Sequence, residues 1–243
     1  MKIKWGILLL ALAAWPFLAH ARESVKPSGS AAIEIVDVPT AAVVDHYGYH
    51  TSFRFGKEGN IQNKSIFGVF PRLNIGFGLD GEKIIGTENS RLNKPTINIK
   101  FRPFDGQGVI PAIALGFDDQ GYAYNRVTND YDQREKGFFL AADWHPFTPD
   151  FLWTLGVDIF DFKDDNAVRG FTGFSYNYQH MVALLVEYDN FDYYKERRIN
   201  YGAKIFVTPV FTVDLIGRNV PKFLGSKRRE TERVVRLCYT GAF

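Results

Sequence analysis

The sequence predicts an all-β fold, an up-and-down antiparallel transmembrane β-barrel of about twelve strands. Three observations predict it. The final segment, 233–243, alternates apolar and polar residues at period two, as a strand with one apolar face does, and it ends on an aromatic residue. Aromatic residues make up 16% of the 243-residue chain, and girdles at two membrane interfaces would place them. Short turns and long polar loops also alternate along the chain, which is typical of such barrels.

The N-terminus has the features of a secretory signal peptide. Two lysines precede an apolar run at 5–18, and Ala19-His20-Ala21 follows it. We expect cleavage after Ala21; a single membrane-anchoring helix is the alternative, which the short apolar run disfavours. Removing 1–21 takes two of the 29 basic residues and leaves 27, against 27 acidic ones. This balance gives no support for a nucleic-acid partner.

Residues 22–44 are rich in Ser, Pro and Ala, and we interpret them as a periplasmic N-terminal segment. The barrel is predicted to occupy 45–243. Its predicted strands alternate at period two or lie between turn signals. They cover 46–55, 65–70, 72–79, 94–102, 109–117, 137–145, 151–162, 168–178, 181–189, 198–207, 210–218 and 233–243.

The connections between these strands predict their orientation. Short turns occur near 71, 103–108, 146–150, 179–180 and 208–209, and most contain proline, which cannot donate to a ladder. Longer polar loops occupy the other junctions, the longest at 118–136. An outer-membrane barrel keeps its short turns periplasmic, and an even strand number brings both termini there. A soluble β-sandwich is the alternative, and it predicts that the apolar faces are buried in a protein core.

Several segments carry a family resemblance. They are Val-Pro-Thr-Ala at 38–41, Gly-Val-Phe-Pro-Arg-Leu-Asn-Ile-Gly-Phe-Gly at 68–78, Phe-Arg-Pro-Phe-Asp-Gly at 101–106 with Pro-Ala-Ile-Ala-Leu-Gly at 111–116, and Ala-Leu-Leu-Val-Glu-Tyr-Asp at 183–189. The chain resembles bacterial outer-membrane barrels related to the YjbH-type exopolysaccharide-associated proteins. The resemblance implies the fold and a cell outer-membrane location. It also implies that the terminal aromatics Tyr239 and Phe243 act as the signal for the barrel assembly machinery.

The polar faces of the predicted strands should line the lumen. Bases and acids are mixed there, so two interpretations stay open: a salt-bridged interior that stabilises a closed barrel, and a narrow pore with a slight anion preference. The candidate lumen-lining residues are Arg54, Arg72, Lys100, Arg102, Asp143, Asp158, Arg169, Glu187, Asp189, Lys204, Asp214, Arg218 and Arg236.

Two basic clusters fall in predicted outer loops. They could hold lipopolysaccharide phosphates, because arginine binds phosphate bidentately; ordinary solvated loop charge is an equal alternative. The candidates are Lys195, Arg197, Arg198, Lys227, Arg228 and Arg229.

Enzymatic function is disfavoured. No Gly-x-Ser-x-Gly elbow is present, the histidines fall near predicted turns or in the lumen, and no Cys/His spacing resembles a zinc site. The sequence therefore predicts a narrow channel or structural barrel without cofactor, whose solute it does not identify. The alternative is a non-conducting interaction barrel in an envelope assembly or polysaccharide-export system. Expected partners are outer-membrane lipid, lipopolysaccharide, the barrel assembly machinery and, as a further candidate, an envelope protein.

Overall fold

The computed structural model describes residues 32–87, 89–127, 129–133, 136–159, 168–193, 197–220 and 231–243. Twelve strands form the barrel wall: β1 (Gly48–Phe55), β2 (Ile61–Phe70), β3 (Leu73–Glu82), β5 (Thr96–Phe104), β6 (Ala112–Asp118), β9 (Gly137–Trp144), β10 (Phe151–Ile159), β11 (Val168–Tyr178), β12 (Val182–Asp189), β13 (Arg198–Phe206), β14 (Phe211–Arg218) and β15 (Glu232–Ala242). Three short strands lie outside the wall: β4 (Arg91–Leu92), β7 (Tyr122–Asn125) and β8 (Asp130–Gln133). Among the described residues, no helix has the length and apolarity needed to cross a bilayer.

The sheet closes on itself. Each wall strand lies beside the next one along the chain, and the first and last strands pair antiparallel from Gly48 with Ala242 to Phe55 with Val235. Closure gives every wall strand a neighbour on both sides, and the ladder among the described residues is shortest between β9 and β10, where only Ile159 pairs with Gly137. The predicted twelve-stranded antiparallel barrel is confirmed, and the β-sandwich alternative is wrong.

The two faces of the wall differ as the period-two pattern predicts. Outward side chains are large, apolar and exposed, such as Phe77 on β3, Ile97 on β5 and Leu184 on β12. Inward positions carry small or polar residues, and many of them are buried. The apolar faces are therefore the outside of a barrel and not the core of a sandwich.

The connections divide the barrel into two ends. At the turn end, short connections join β2 to β3, β5 to β6, β9 to β10, β11 to β12 and β13 to β14, and β1 begins there beside the end of β15. At the loop end lie the longer connections and the accessory strands. Strand β4 extends the edge of β3, and β7 and β8 form a hairpin within the longest loop.

Several predicted strand boundaries differ from the structure: β3 ends at Glu82 and not at 79, and β5 covers Thr96–Phe104 and not 94–102. Two further differences have a clear physical reason. Strand β2 begins at Ile61, four residues before the predicted start, because the polar residues Gln62 and Lys64 point into the lumen. Strand β6 begins at Ala112 and not at 109, because 107–110 form a tight turn closed by Gln107 and Ile110, with Gly108 at positive φ. The start of β2 has polar residues at its lumen-facing positions, so it was predicted as a loop. The turn before β6 contains apolar residues, so it was predicted as part of the strand.

Inward glycines make room for large rings inside the barrel. A Cβ on Gly156 would lie 2.3 Å from the Leu140 carbonyl oxygen and 2.3 Å from Cζ of Phe171, whose ring is fully buried. A Cβ on Gly56, in the loop after β1, would meet only the Asn60 carbonyl oxygen at 4.0 Å.

We therefore expect Gly156→Ala to lower the free energy of unfolding by about 1–3 kcal/mol, the usual cost of overpacking. Gly56→Ala serves as the matched control and should change it by less than about 0.5 kcal/mol. Urea unfolding of the two variants in detergent measures both. Equal unfolding free energies for Gly156→Ala and Gly56→Ala would show that Phe171 and the wall around it shift without cost.

Candidate functional site

The lumen is lined by charged side chains that the strand alternation turns inward. Bases outnumber acids among the buried wall residues that the structure describes. The bases are Arg54, Lys64, Lys100, Lys136, Arg169, Arg198, Lys204, Arg218 and Arg236, and the acids are Asp80, Asp143, Asp158, Glu187, Asp189 and Asp214.

Residues 32–44 lie inside this lumen; we call them the luminal hairpin. The chain turns tightly at 35–38, where the Ile35 N–H donates to the Val38 carbonyl at 2.9 Å, and the Thr40 N–H donates to the Ile33 carbonyl at 3.3 Å. Ile35 and Val38 are fully buried. The interpretation of 22–44 as a periplasmic segment left open whether it lies inside the lumen. The structure places 32–44 inside it, and residues 22–31 and the predicted signal peptide 1–21 lie outside the described residues.

Apolar side chains hold one part of the hairpin against the wall. Ile35 and Val36 pack with Ala183, Leu185, Ile216 and Val234, and Val38 packs with Phe139, Ala141 and Phe171. Burial of each such side chain stabilises by about 1.5–3 kcal/mol relative to exposure. The short apolar stretch at 33–36 is visible in the sequence, within a segment rich in Ser, Pro and Ala, but its burial in the lumen is not.

Wall side chains bind the main chain of the hairpin. The Glu187 carboxylate accepts the N–H groups of Val36, Asp37 and Val38 at 2.9, 3.0 and 3.0 Å. The Lys100 ammonium donates to the carbonyls of Ile33, Thr40 and Ala42 at 2.8, 3.1 and 3.1 Å. Asn74 exchanges two hydrogen bonds with the main chain of Val44. The tight turn is thus matched to particular wall residues.

The two acids of the hairpin contact wall arginines. Glu34 pairs with Arg54 and with Arg236 Nη1 at 2.7 Å. Asp37 pairs with Arg54 Nη1 at 2.9 Å and with Arg218 at 2.7 Å. Because the Arg54 guanidinium contacts both acids, the two carboxylates lie side by side.

These arginines change the acidity of both carboxyls. Burial alone would raise the pKa of Glu34, but the positive charges of Arg54, Lys64 and Arg236 hold that pKa well below the usual 4.5. Burial likewise opposes ionisation of Asp37, and Arg218 and Arg54 outweigh it and lower its pKa from 3.8. Both acids are therefore ionised at neutral pH.

The longest loop closes the lumen from the other end. The Tyr122 hydroxyl donates to Asp37 at 2.7 Å, and its ring lies 3.4 Å from the Arg218 guanidinium carbon. Gln62 donates to the Gly121 carbonyl at 2.8 Å. The loop and the luminal hairpin thus meet at Asp37 inside the barrel. This role was not predictable from the sequence, in which the length of the loop was the only signal.

A second charge cluster includes one residue whose predicted role was wrong. Arg198 was a candidate lipopolysaccharide contact, but it is buried at the start of β13 and pairs with Asp189 at 3.0 Å. Asp189 also pairs with Lys136, which lies 3.3 Å from Asp158. Arg198 is two residues before the inward Asn200 on the same strand, so its side chain also points into the lumen.

The other predicted lumen residues fall into two groups. Arg72 and Arg102 lie at the turn end and pair with Asp105, away from the hairpin. The remaining ones are inward and buried; they are Arg54, Lys100, Asp143, Asp158, Arg169, Glu187, Asp189, Lys204, Asp214, Arg218 and Arg236. Sequence reasoning missed Glu34, Asp37, Lys64, Tyr122 and Lys136 as lumen residues. Only Lys64 left a signal, because it continues the β2 alternation outside the predicted strand.

The remaining predicted contacts are at the surface or outside the described residues. Lys195, Lys227, Arg228 and Arg229 lie outside them, and Arg197 is half-buried just before β13. Tyr239 faces outward on β15, and Phe243 is 85% exposed at the turn end, where its N–H donates to the Tyr47 carbonyl at 2.9 Å. Within the described ranges, no group of three or more His, Cys, Asp or Glu residues could hold a metal ion.

Comparisons with known proteins add a general likeness of shape. No family model and no curated protein matches the chain. Among solved structures, a mutant of the Rh. blastica porin is similar over 75% of this chain and 55% of its own length, at 8% identity and a TM-score of 0.38. The NanC porin is similar over 81% of this chain and 98% of its own, at 8% identity and a TM-score of 0.41. The chain thus spans about half the length of the Rh. blastica porin. The resemblance to YjbH-type barrels stays a prediction.

Replacing Glu187 by alanine should loosen the luminal hairpin, because three main-chain N–H groups lose their acceptor. The loss of such partners costs about 1–3 kcal/mol, which corresponds to roughly 5- to 150-fold in an opening equilibrium. The measurement is the rate at which maleimide labels Val36→Cys in a Cys238→Ser background. Glu187→Ala should raise this labelling rate, and the control Asp105→Asn should leave it unchanged. A labelling rate in Glu187→Ala equal to that of the protein with Glu187 intact would contradict the binding role of this carboxylate.

Glu34 should stabilise the fold in a pH-dependent manner. Because its folded pKa lies below the unfolded value, the stabilisation is fully present above about pH 4.5 and is lost as the pH falls through the folded pKa. The difference in unfolding free energy between the wild type and Glu34→Gln should therefore be constant above pH 4.5 and shrink below it. Urea titrations over a pH series measure it, and a difference that grows on acidification would refute the assignment.

Proposed function

We propose that the protein is a non-enzymatic outer-membrane channel whose lumen is closed at rest by the luminal hairpin. The exposed apolar outer wall supports a lipid environment, because a polar solvent would not favour such a surface. Wall strands of 7–11 residues suit a tilted crossing of the bilayer. The short connections, the start of β1 and the end of β15 then belong on the periplasmic side.

The observation that carries the channel proposal is the charged wall behind the hairpin. A barrel filled only for stability needs no ring of buried bases and acids, since apolar packing does this at lower desolvation cost. A charged wall is what a hydrated pore requires. The hairpin is a separate segment of chain placed across it, so its displacement would expose a polar passage.

The hairpin is held in a way that permits displacement. Its hydrogen bonds and ion pairs with the wall are contacts that water can replace when the lumen hydrates. Displacement would also expose its buried apolar residues, which are Ile35, Val36, Val38, Ala41, Ala42, Val43 and Val44. Closure from the loop end depends on Tyr122 and Asp37, so release of the hairpin also removes a contact of the loop. Opening therefore requires no change in the wall pairing.

The surface residues complete the proposal. Exposed Tyr239 and Phe243 at the turn end are suitably placed for recognition by the barrel assembly machinery during insertion. Outer-membrane lipid and lipopolysaccharide would contact the apolar wall and the outer loops, including Arg197. An envelope protein that binds the turn end would be suitably placed to displace the hairpin.

A disulfide between the hairpin and the wall provides a direct test. A Cβ on Gly173 of β11 would lie 2.9 Å from Cγ1 of Ile35, so Ile35→Cys with Gly173→Cys places two sulfur atoms within bonding reach. Cys238→Ser removes the native thiol, which is buried.

In planar bilayers, we expect Glu34→Gln with Asp37→Asn to raise the open probability at least about tenfold over the wild type, because the buried Arg54 loses its ion pairs with both hairpin acids, which destabilises the closed state. Adding the disulfide to this variant should silence it, and reduction should restore the openings. Stable insertion of the reduced variant without any conductance would overturn the channel proposal and leave a non-conducting interaction barrel.

A further inference from the structure

The two hairpin acids occupy a set of basic groups that belongs to the wall. Arg54, Arg218 and Arg236 come from β1, β14 and β15. The first of these strands is far from the other two in sequence, but the three are neighbours in the closed sheet, in the order β1-β15-β14. Their guanidinium groups are buried and meet at Glu34 and Asp37. The closed barrel therefore creates an anion-binding geometry that the hairpin fills.

Neutral donors complete this arrangement. The Tyr122 hydroxyl donates to Asp37 at 2.7 Å, and the Asn200 amide lies 3.3 Å from the same carboxylate. Lys64 lies 3.5 Å from Glu34. Forked guanidinium groups bind carboxylate or phosphate bidentately, so this arrangement favours oxyanions over neutral or cationic solutes.

The hairpin also has attachments to the wall that do not involve these acids. Glu187, Lys100 and Asn74 bind its main chain, and its apolar side chains pack against other parts of the wall. Glu34 and Asp37 instead neutralise a wall in which bases outnumber acids. Their carboxylates thus stand where the anionic groups of a solute would bind.

We propose that Arg54, Arg218 and Arg236 form a binding site for a small solute with two neighbouring anionic groups, for which Glu34 and Asp37 are an internal substitute. The spacing follows from Arg54, whose single guanidinium contacts both acids. This inference rests on the proposed channel function and names its solute class. Solute and hairpin compete for one site, so the solute favours the open state.

Competition lowers the apparent affinity of the wild type, because only the open fraction can bind. Removing the two hairpin charges should raise the open fraction and therefore the apparent affinity. We expect Glu34→Gln with Asp37→Asn to bind malonate, a small dicarboxylate, at least about tenfold more tightly than the wild type in titration calorimetry. Acetate should bind much more weakly than malonate, and inorganic phosphate shows whether the site also accepts a single multivalent anion.

The matched control is Asp105→Asn, which removes an acid that pairs with two arginines outside this site. It should bind malonate like the wild type. A second test keeps both acids: in Cys238→Ser carrying Ile35→Cys and Gly173→Cys, malonate should bind the reduced protein and bind the oxidised protein at least about tenfold more weakly. This arm remains informative if the doubly neutralised variant does not fold.

The outcomes separate the two proposals. Tighter malonate binding by the neutralised variant, or loss of binding on oxidation, supports the anion site even in a protein that never conducts. Conducting variants whose malonate affinity is unaffected by the acids and by the disulfide would overturn the site while the channel stands.

Discussion

The need to satisfy main-chain polar groups inside a closed barrel governs this structure. A hairpin carried into the lumen loses water at its N–H and carbonyl groups, and unmatched groups of this kind are costly. Glu187 and Lys100 meet that need from opposite sides, one accepting three N–H groups and the other donating to three carbonyls. The charged wall and the hairpin are therefore complementary in shape and in hydrogen bonding.

Charge balance links the hairpin to the proposed function. The wall has a surplus of buried bases, and the hairpin brings Glu34 and Asp37 to the point where three arginines meet. A closed lumen is thus close to neutral, whereas an open one would be basic and would have to hydrate or bind anions. The proposed closure, ion preference and solute class all depend on the same few ion pairs.

The barrel was predictable because its rule is local. Alternation at period two fixes which residues face inward, so Arg54, Lys100, Glu187 and Arg236 could be placed in the lumen without coordinates. The rule failed where apolar and polar residues did not alternate: at the start of β2, at 109–111, and at Arg198, whose position next to a loop concealed its inward direction. The luminal hairpin has no periodic signature, because its partners are distant in sequence.

The sequence by itself determined the strand number, the order of the strands and the two faces of the wall, since each depends on neighbours along one strand and on turn residues. Only the tertiary structure decided what fills the lumen. Glu34 lies 202 residues from Arg236 in sequence, and Val36 lies 151 from Glu187. Contacts at such separations form only after the sheet has closed, and closure depends on the pairing of the first strand with the last.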